Sequence, residues 1–245
     1  MNKTIAATRR QQAQKIINLV RDFINYDDDL QQKTCVDIGC GNGEISFNLA
    51  GVFKSVIGIE LETRRILVNH NLTYQNNHLQ FMVADGSILP FSSGSVDFVV
   101  CAQVYEHAKD QKGLINEIWR VLKPNGYCFL SGPNKFAILE EHYFLPFLSW
   151  LPSKLANSYL KLFKLTPIYD IHPLSYSKLL GLMDNFIIDD LTFKLITKPD
   201  RYGMSDRFGI LNILKHFPIR LLVPFRGIVP NFNFILRKSV NTGKE

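Results

Sequence analysis

The sequence predicts an α/β fold, a mostly parallel sheet with helices on both faces, and three observations predict it. Short apolar runs of strand length alternate with helically spaced segments along most of the 245 residues, the pattern of successive βαβ units. The first such run ends in Val36-Asp37-Ile38 and leads directly into a loop with glycines at 39, 41 and 43, ahead of a helix. Acidic residues then stand at the ends of three consecutive strands, at Asp37, Glu60 and Asp85.

Taken in order, the chain opens on an amphipathic helix, because Ile16, Ile17, Val20, Phe23 and Ile24 recur at helical spacing with polar residues between them. Despite Arg9, Arg10 and Lys15 ahead of them, these residues do not form the unbroken apolar stretch of a secretory signal. The acidic stretch 26–30 reads as a loop. Strands are expected at Thr34–Ile38, Ser55–Glu60, 79–84, 96–101, 126–131, 186–196 and 232–237, and helices at 44–52, 62–71 and 114–121. Lys123-Pro124-Asn125-Gly126 stops the last of these helices and turns the chain. Two segments fall outside the alternation. Residues 139–172 are rich in aromatics and broken by Pro146 and Pro152, and residues 198–230 mix bases with Phe, Leu, Ile and four prolines. Both read as insertions on one domain spanning 1–245, the first as a helical lid.

Composition narrows the setting. Cys35, Cys40, Cys101 and Cys128 lack CxxC spacing and sit in or beside apolar runs, which suits reduced thiols in the cytoplasm better than disulfides or zinc. From Lys198 onward nine Lys/Arg stand against three acids, so that segment carries the chain's whole net charge of +6. Its bases alternate with apolar residues, which would face solvent, an anionic substrate or the inner face of an anionic membrane. Lys154 and Lys161 interrupt the first insertion, and Lys215, Arg220 and Arg226 interrupt the second, so neither holds the roughly 20 apolar residues of a membrane span.

The chemistry-bearing residues cluster at strand ends. Glycines after a strand let the backbone turn tightly and approach a ligand that a Cβ would exclude. A dinucleotide-binding loop would need a third glycine at position 44, where Glu44 stands instead and would repel a pyrophosphate. Asp37 beside the loop suits a cationic ligand. Glu60 can accept hydrogen bonds from both hydroxyls of an adenosine ribose, and Asp85, ahead of Gly86, from the exocyclic amine of adenine. Open α/β sheets bind ligands in the crevice beyond these strand ends.

Together VDIGCGNGE, Glu60, Ala84-Asp85-Gly86, SVDFVVCAQVYEH and LKPNG resemble the class I S-adenosylmethionine-dependent methyltransferases, in the small-molecule branch related to the ubiquinone and menaquinone enzymes. The likeness covers roughly residues 30–135. It implies a Rossmann-like seven-stranded sheet with the last strand antiparallel. It also implies S-adenosyl-L-methionine as cofactor, bound by Asp37, Gly39, Cys40, Gly41 and Gly43 around the methionine portion, by Glu60 and Leu61 at the ribose, by Asp85 and Gly86 at adenine, and by Gln103 facing substrate. Cys40 contributes backbone and packing, not a nucleophile.

On the acceptor side, a hydroxyl would need a proton acceptor, and His107 beside Glu106 is the best placed, although the pair also suits a structural hydrogen bond at a helix start. His142 and His172 are further candidates. Some quinone O-methyltransferases bind a divalent metal through E-x-x-E-H here; Gln103 occupies the first position, and no metal is expected. The lid suits a small-molecule, glycan or lipid-linked acceptor, with O-methylation favoured over a quinone or lipid C-methylation or a non-catalytic cofactor-binding partner. Nucleic acid is not expected, since Ala102-Gln103-Val104-Tyr105 lacks the Asp/Asn-Pro-Pro-aromatic grip of base-methylating relatives.

Overall fold

A computed structural model describes residues 3–23, 30–73, 76–165, 168–204 and 216–239. The expected loop at 26–29, Ile24, the bases Arg207, Lys215 and Lys244, Phe208 and the 209–215 portion of the second insertion lie outside these residues.

The alternation becomes β1 (Thr34–Ile38), α2 (Glu44–Leu49), β2 (Ser55–Glu60), α3 (Thr63–Thr73), β3 (Leu79–Val83), β4 (Val96–Ala102), α4 (Gln111–Val121) and β5 (Leu122–Pro133), preceded by α1 (Lys3–Phe23). After α5 (Ser153–Leu162) and α6 (Tyr176–Leu182) come β6 (Phe186–Asp190), α7 (Thr192–Thr197), α8 (Ile219–Leu222) and β7 (Asn231–Lys238). The seven strands form one sheet in the order β3-β2-β1-β4-β5-β7-β6, in which β7 runs antiparallel to both neighbours. Strand order reverses between β1 and β4, so their carboxyl ends diverge around a crevice.

Period-two alternation divides the strand side chains between two layers. On one face Cys35, Val56, Phe98, Val100, Phe129 and Ile235 pack against Ile16, Leu19 and Val20 of α1, Ile45 and Leu49 of α2 and Leu195 of α7. On the other, Val36, Ile59, Val99, Cys101, Cys128 and Leu130 meet Leu114, Ile115 and Ile118 of α4, Leu179 of α6 and Met183 at the end of that helix. The segment between β5 and α6 has a small core of its own, Leu145, Leu148, Ala156, Leu160, Tyr169 and Ile171. All four cysteines are buried free thiols.

Two elements differ from the sequence expectation. The apolar run 186–196 is not one strand: Asp190 ends β6 by accepting the Thr192 amide at 3.0 Å, and 192–197 then coil into α7. An Asx turn of this kind offers the backbone an alternative to the ladder. Lys123-Pro124-Asn125-Gly126 does not separate α4 from β5 either. Pairing begins at Leu122 opposite Val96 and resumes at Tyr127 opposite Phe98, so the four residues bulge out within β5, with Asn125 at φ 62. No helix among the described residues is long and apolar enough to cross a membrane.

Candidate active site

The cofactor side is built from the first crossover. Gly39, Gly41 and Gly43 all hold positive φ, at 66, 56 and 77, a region that side-chain-bearing residues enter only at a cost. At Gly39 an added Cβ would lie 2.5 Å from Cγ2 of Val104, so loop and β4 end are in van der Waals register only because the side chain is absent. Gly41 faces open space apart from Nη1 of Arg65, 3.7 Å from where its Cβ would stand. Cys40 packs its sulfur toward Gly58, where a Cβ would meet it at 2.9 Å, and its amide donates to Ile59 O at 3.0 Å. It is a packing residue whose backbone shapes the loop.

Glu60 holds the loop from the neighbouring strand. Its Oε2 accepts from the Gly41 amide at 2.9 Å and its Oε1 from the Glu62 amide at 3.1 Å, so each oxygen keeps a lone pair for a ligand hydroxyl. Leu61, the next residue, is 64% exposed, as an apolar wall of an open crevice would be. Asp85 turns its Oδ1 onto the amide and hydroxyl of Ser87 at 2.8 and 2.7 Å, which hold its carboxyl below the usual carboxylate range. That turn also leaves Gly86 packed on Ile38 and Leu114, where a Cβ would come within 2.9 Å of both.

Asp37 is 2% exposed and accepts from Ser46 Oγ at 2.6 Å. Burial pushes its carboxyl up to about 7, against the hydrogen bond from Ser46 and the charge of Arg9, which oppose the rise. In the unliganded chain the native state therefore holds a proton here that the unfolded state, titrating near 3.8, has already lost. This group's contribution to stability accordingly declines as pH rises from about 4 to about 7 and is level above. If Asp37 meets the ammonium of the cofactor, affinity should fall as pH drops from 7.5 to 5.5, approaching tenfold per unit below the folded value. Calorimetric titration of the donor across that window measures it; Asp37→Asn should weaken binding and flatten the profile, and an equally steep profile in the variant would remove Asp37 from that role.

The acceptor side begins where β4 ends. Gln103 takes φ 60, a left-handed conformation rare for side-chain-bearing residues, while its amide donates to Ser131 O at 2.8 Å. The kink leads into a single 3-10 turn, Tyr105–His107. Tyr105 packs under Gly132 and donates its hydroxyl to Pro133 O. Glu106 is 0% exposed, and neither of its carboxylate oxygens has a hydrogen-bond partner. Burial pushes it up to about 8.

From the 139–172 segment His142 joins this pair. Its Nε2 lies 3.9 Å from Glu106 Oε1, the same distance as His107 Nε2, and the two imidazoles meet edge to face at 5.5 Å. Glu140, itself 2% exposed, fixes His142: Oε1 pairs with Nδ1 at 3.0 Å, and Oε2 accepts the amides of His142 and Tyr143 at 2.9 and 2.7 Å. Burial works against the His142 imidazolium, but the hydrogen bond and charge of Glu140 outweigh it and raise its pKa, whereas burial and the neighbouring His142 lower that of His107.

The residues expected to act thus fall into two adjoining groups, Asp37, Gly39, Cys40, Gly41, Gly43, Glu60, Leu61, Asp85 and Gly86 around the crevice and Gln103, Glu106 and His107 at its β4 edge. His172 is different: its amide donates to Glu106 O at 2.8 Å and its carbonyl accepts from Gln111 Nε2 at 2.8 Å, so its main chain buttresses the site. Glu140 was missed by sequence reasoning. The only sign of it was the Glu140-Glu141-His142 run, and nothing local says which strand end that run will face.

The imidazole and carboxylate donors of Glu106, His107 and His142 lie within 4.8 Å of one another. Such a nitrogen and oxygen set suits first-row divalent metals, and the buried, unpartnered oxygens of Glu106 are what a missing cation would leave behind. The residues fit a metal even though position 103 offers no carboxylate.

Relationships to known proteins agree with this layout. Residues 36–130 match the family model described as a methyltransferase domain. The chain is 30% identical over 190 residues to a ubiquinone biosynthesis O-methyltransferase of Pelagibacter ubique, across 73% of this chain and 76% of that one. It is 27% identical over 187 residues to the protein of the same name from Nitrosomonas europaea, across 71% and 75%. The fold is shared with YcgJ of Bacillus subtilis at a TM-score of 0.58 and 14% identity, covering 93% of this chain and 98% of that one. Sheet order, glycine loop and sequence relationship converge, and the chain belongs to the class I S-adenosylmethionine-dependent methyltransferases.

Proposed function

We propose that the enzyme transfers the methyl group of S-adenosyl-L-methionine to a hydroxyl oxygen of an amphipathic, lipid-linked acceptor. The carrying observation is the Glu106, His107 and His142 cluster at the edge of the cofactor crevice. Methyl transfer from a sulfonium is an in-line displacement in which the donor brings its own leaving group, so the protein chiefly aligns the acceptor and excludes water. What a hydroxyl acceptor adds is a proton to be removed. Imidazoles beside a buried carboxylate supply that function where the crevice opens, whereas a carbon acceptor would make less use of them. The ubiquinone O-methyltransferase relatives support the same bond type.

In this reading the cofactor's ribose rests on Glu60 and Leu61, its methionine end against Asp37 and the glycine loop, and its adenine near Asp85. Residues 139–172 act as the lid, and the described residues 216–230 add a second basic and apolar margin. The lid's outer surface supports a lipid-linked acceptor over a free sugar. Phe136 and Phe147 pack edge to face on Trp150 at 5.6 and 5.2 Å while all three stay substantially exposed. Phe144, at the tip of the same loop, is 70% exposed. Both Phe144 and Phe147 hold positive φ, at 54 and 57, a conformation that bulky side chains enter only at a cost. With Lys135 and Lys154 nearby in sequence, this face suits an anionic bilayer surface approached from the cytoplasm.

Two experiments test these statements. Supplied with methyl-labelled donor and cell extract, the enzyme should label the organic-extractable fraction; label confined to polysaccharide would move the acceptor to a glycan, and label in nucleic acid would overturn the reading. In flotation with anionic vesicles the protein should rise with the lipid, less so at high salt and much less after Phe144→Ser and Phe147→Ser together. Protein that stays below the vesicles at low salt would remove the membrane from the account.

A further inference from the structure

We propose that Tyr105 is a positioning residue for methyl transfer: its phenol oxygen joins the turn at the end of β4 to both roots of the 139–172 segment, setting Glu106, His107 and the lid as one unit. This rests on reading that turn as the place where the acceptor hydroxyl loses its proton, and it specifies what holds the turn in place.

Three observations carry it. The chain enters the lid segment after Pro133 and has left it by Leu174, and a single oxygen meets both ends. The Tyr105 hydroxyl donates to Pro133 O and accepts from the Leu174 amide at 3.4 Å. The two roots lie side by side here, with Asn134 bridged to Leu174 and the Lys135 amide donating to Leu174 O at 3.1 Å. Next, the main chain of the turn is tied to the second root. Glu106 O accepts from the His172 amide at 2.8 Å, and Gln111 Nε2 donates to Tyr105 O at 3.1 Å and to His172 O at 2.8 Å. Lastly, the ring has a dedicated seat. Tyr105 is fully buried, and a Cβ at Gly132 would overlap its ring and stand 3.0 Å from Glu106 Oε2. The bare backbone at 132 lets the ring and the neighbouring carboxylate settle against β5 together.

Glu106 has no side-chain hydrogen bond to orient it, so its place is inherited from the turn. The half-exposed His107 inherits its place in the same way. His142 reaches them from the lid, 3.9 Å from Glu106 Oε1, and the joint at Tyr105 therefore also sets that separation. An ordinary buried tyrosine serves as contrast. Tyr202, on the other face of the sheet, donates its hydroxyl to Asp22 Oδ2 at 2.7 Å and stabilises the fold away from the site.

Tyr105→Phe keeps the ring and removes the oxygen. Misplacing reacting groups by about 1 Å can cost about 10²-fold in rate. At saturating methyl-labelled donor, transfer into the extractable acceptor of a cell extract should fall about 10- to 100-fold. Donor affinity by calorimetry should stay parental, because the glycine loop and Glu60 are untouched. In protein carrying ¹⁵N-histidine, the imidazole resonances of His107 and His142, assigned with His107→Gln and His142→Gln, should move. Tyr202→Phe should lower the Tm by a comparable amount and leave both the transfer rate and these resonances parental. Parental transfer or parental resonances in Tyr105→Phe, or an equal loss of rate in Tyr202→Phe, overturns the proposal. Should Tyr105→Phe not melt cooperatively, Gln111→Met, which removes the other side-chain bonds at this joint, decides by the same two readouts. Moved resonances with the methyl label on carbon or nitrogen would retire the hydroxyl chemistry and keep the joint; unmoved resonances with the label on oxygen would do the reverse.

Discussion

Replacing Glu60 with alanine should weaken binding of S-adenosyl-L-methionine by about 10²-fold or more. The carboxylate presents two oxygens, each already holding one backbone amide, of Gly41 or Glu62, and each with a further lone pair to offer a ligand hydroxyl. Two hydrogen bonds to a charged acceptor are worth about 1.5–3 kcal/mol each, and about 1.4 kcal/mol is tenfold in affinity. The same substitution removes the bond from the Gly41 amide to this carboxylate, so the loop loses one anchor along with the ligand contact. Glu60→Gln separates the two effects: an amide keeps one acceptor and should fall between the parent and alanine. Calorimetry of donor binding reads both variants, and parental affinity in Glu60→Ala would remove the ribose from this strand end.

The second large effect is a contrast between two glycines. Gly39→Ala places a methyl group 2.5 Å from a Val104 methyl at φ 66, combining left-handed strain of about 1–2 kcal/mol with overpacking of about 1–3 kcal/mol. Together these amount to a loss of about 2–5 kcal/mol in stability. Gly41→Ala carries the backbone strain alone, because only Arg65 Nη1, 3.7 Å away, borders the added carbon. In the proposed binding mode its methyl instead meets the methionine end of the donor. Thermal melts should therefore fall far more for Gly39→Ala, while donor affinity relative to stability should suffer more in Gly41→Ala. Equal melting shifts would mean that Val104 yields more readily than its packing implies.

Strands β1 and β2 were legible to the residue because each is a short apolar run bounded by loop-forming residues, and β3, β4 and β7 were legible to within one or two. Residues 186–196 misled because Phe193 and Leu195 bury themselves as a strand would, but do so from a helix. Only the Asp190 side chain marks the break, and an Asx turn is a local event that hydrophobic periodicity does not register. The KPNG turn was recognised as a turn but misplaced, since pairing on both sides of it converts an apparent boundary into a bulge.

The gathering of the residues expected at the cofactor was legible for a related reason. These residues follow strand ends directly, and parallel topology gathers all such ends at one edge. The acceptor side was not. Glu106 and His107 were visible as a pair, but whether Glu106 lies buried depends on the left-handed turn at Gln103 and on the absence of a side chain at Gly132. The meeting of His142 with that pair depends on how residues 134–147 fold back, which is fixed by Glu140 and by pairing of Leu139 with Pro146. Tertiary closure of this kind has no period in the sequence.

Transfer of a ¹³C-methyl group from labelled S-adenosyl-L-methionine to the acceptor, followed by carbon NMR of the purified product, identifies the atom that receives the methyl group. A single new resonance is expected in the methyl-ether region, in an organic-soluble product formed by the parent and strongly diminished in Glu60→Ala. A resonance in the C-methyl or N-methyl region would contradict it, because the proton-accepting cluster at the end of β4 would then serve no hydroxyl.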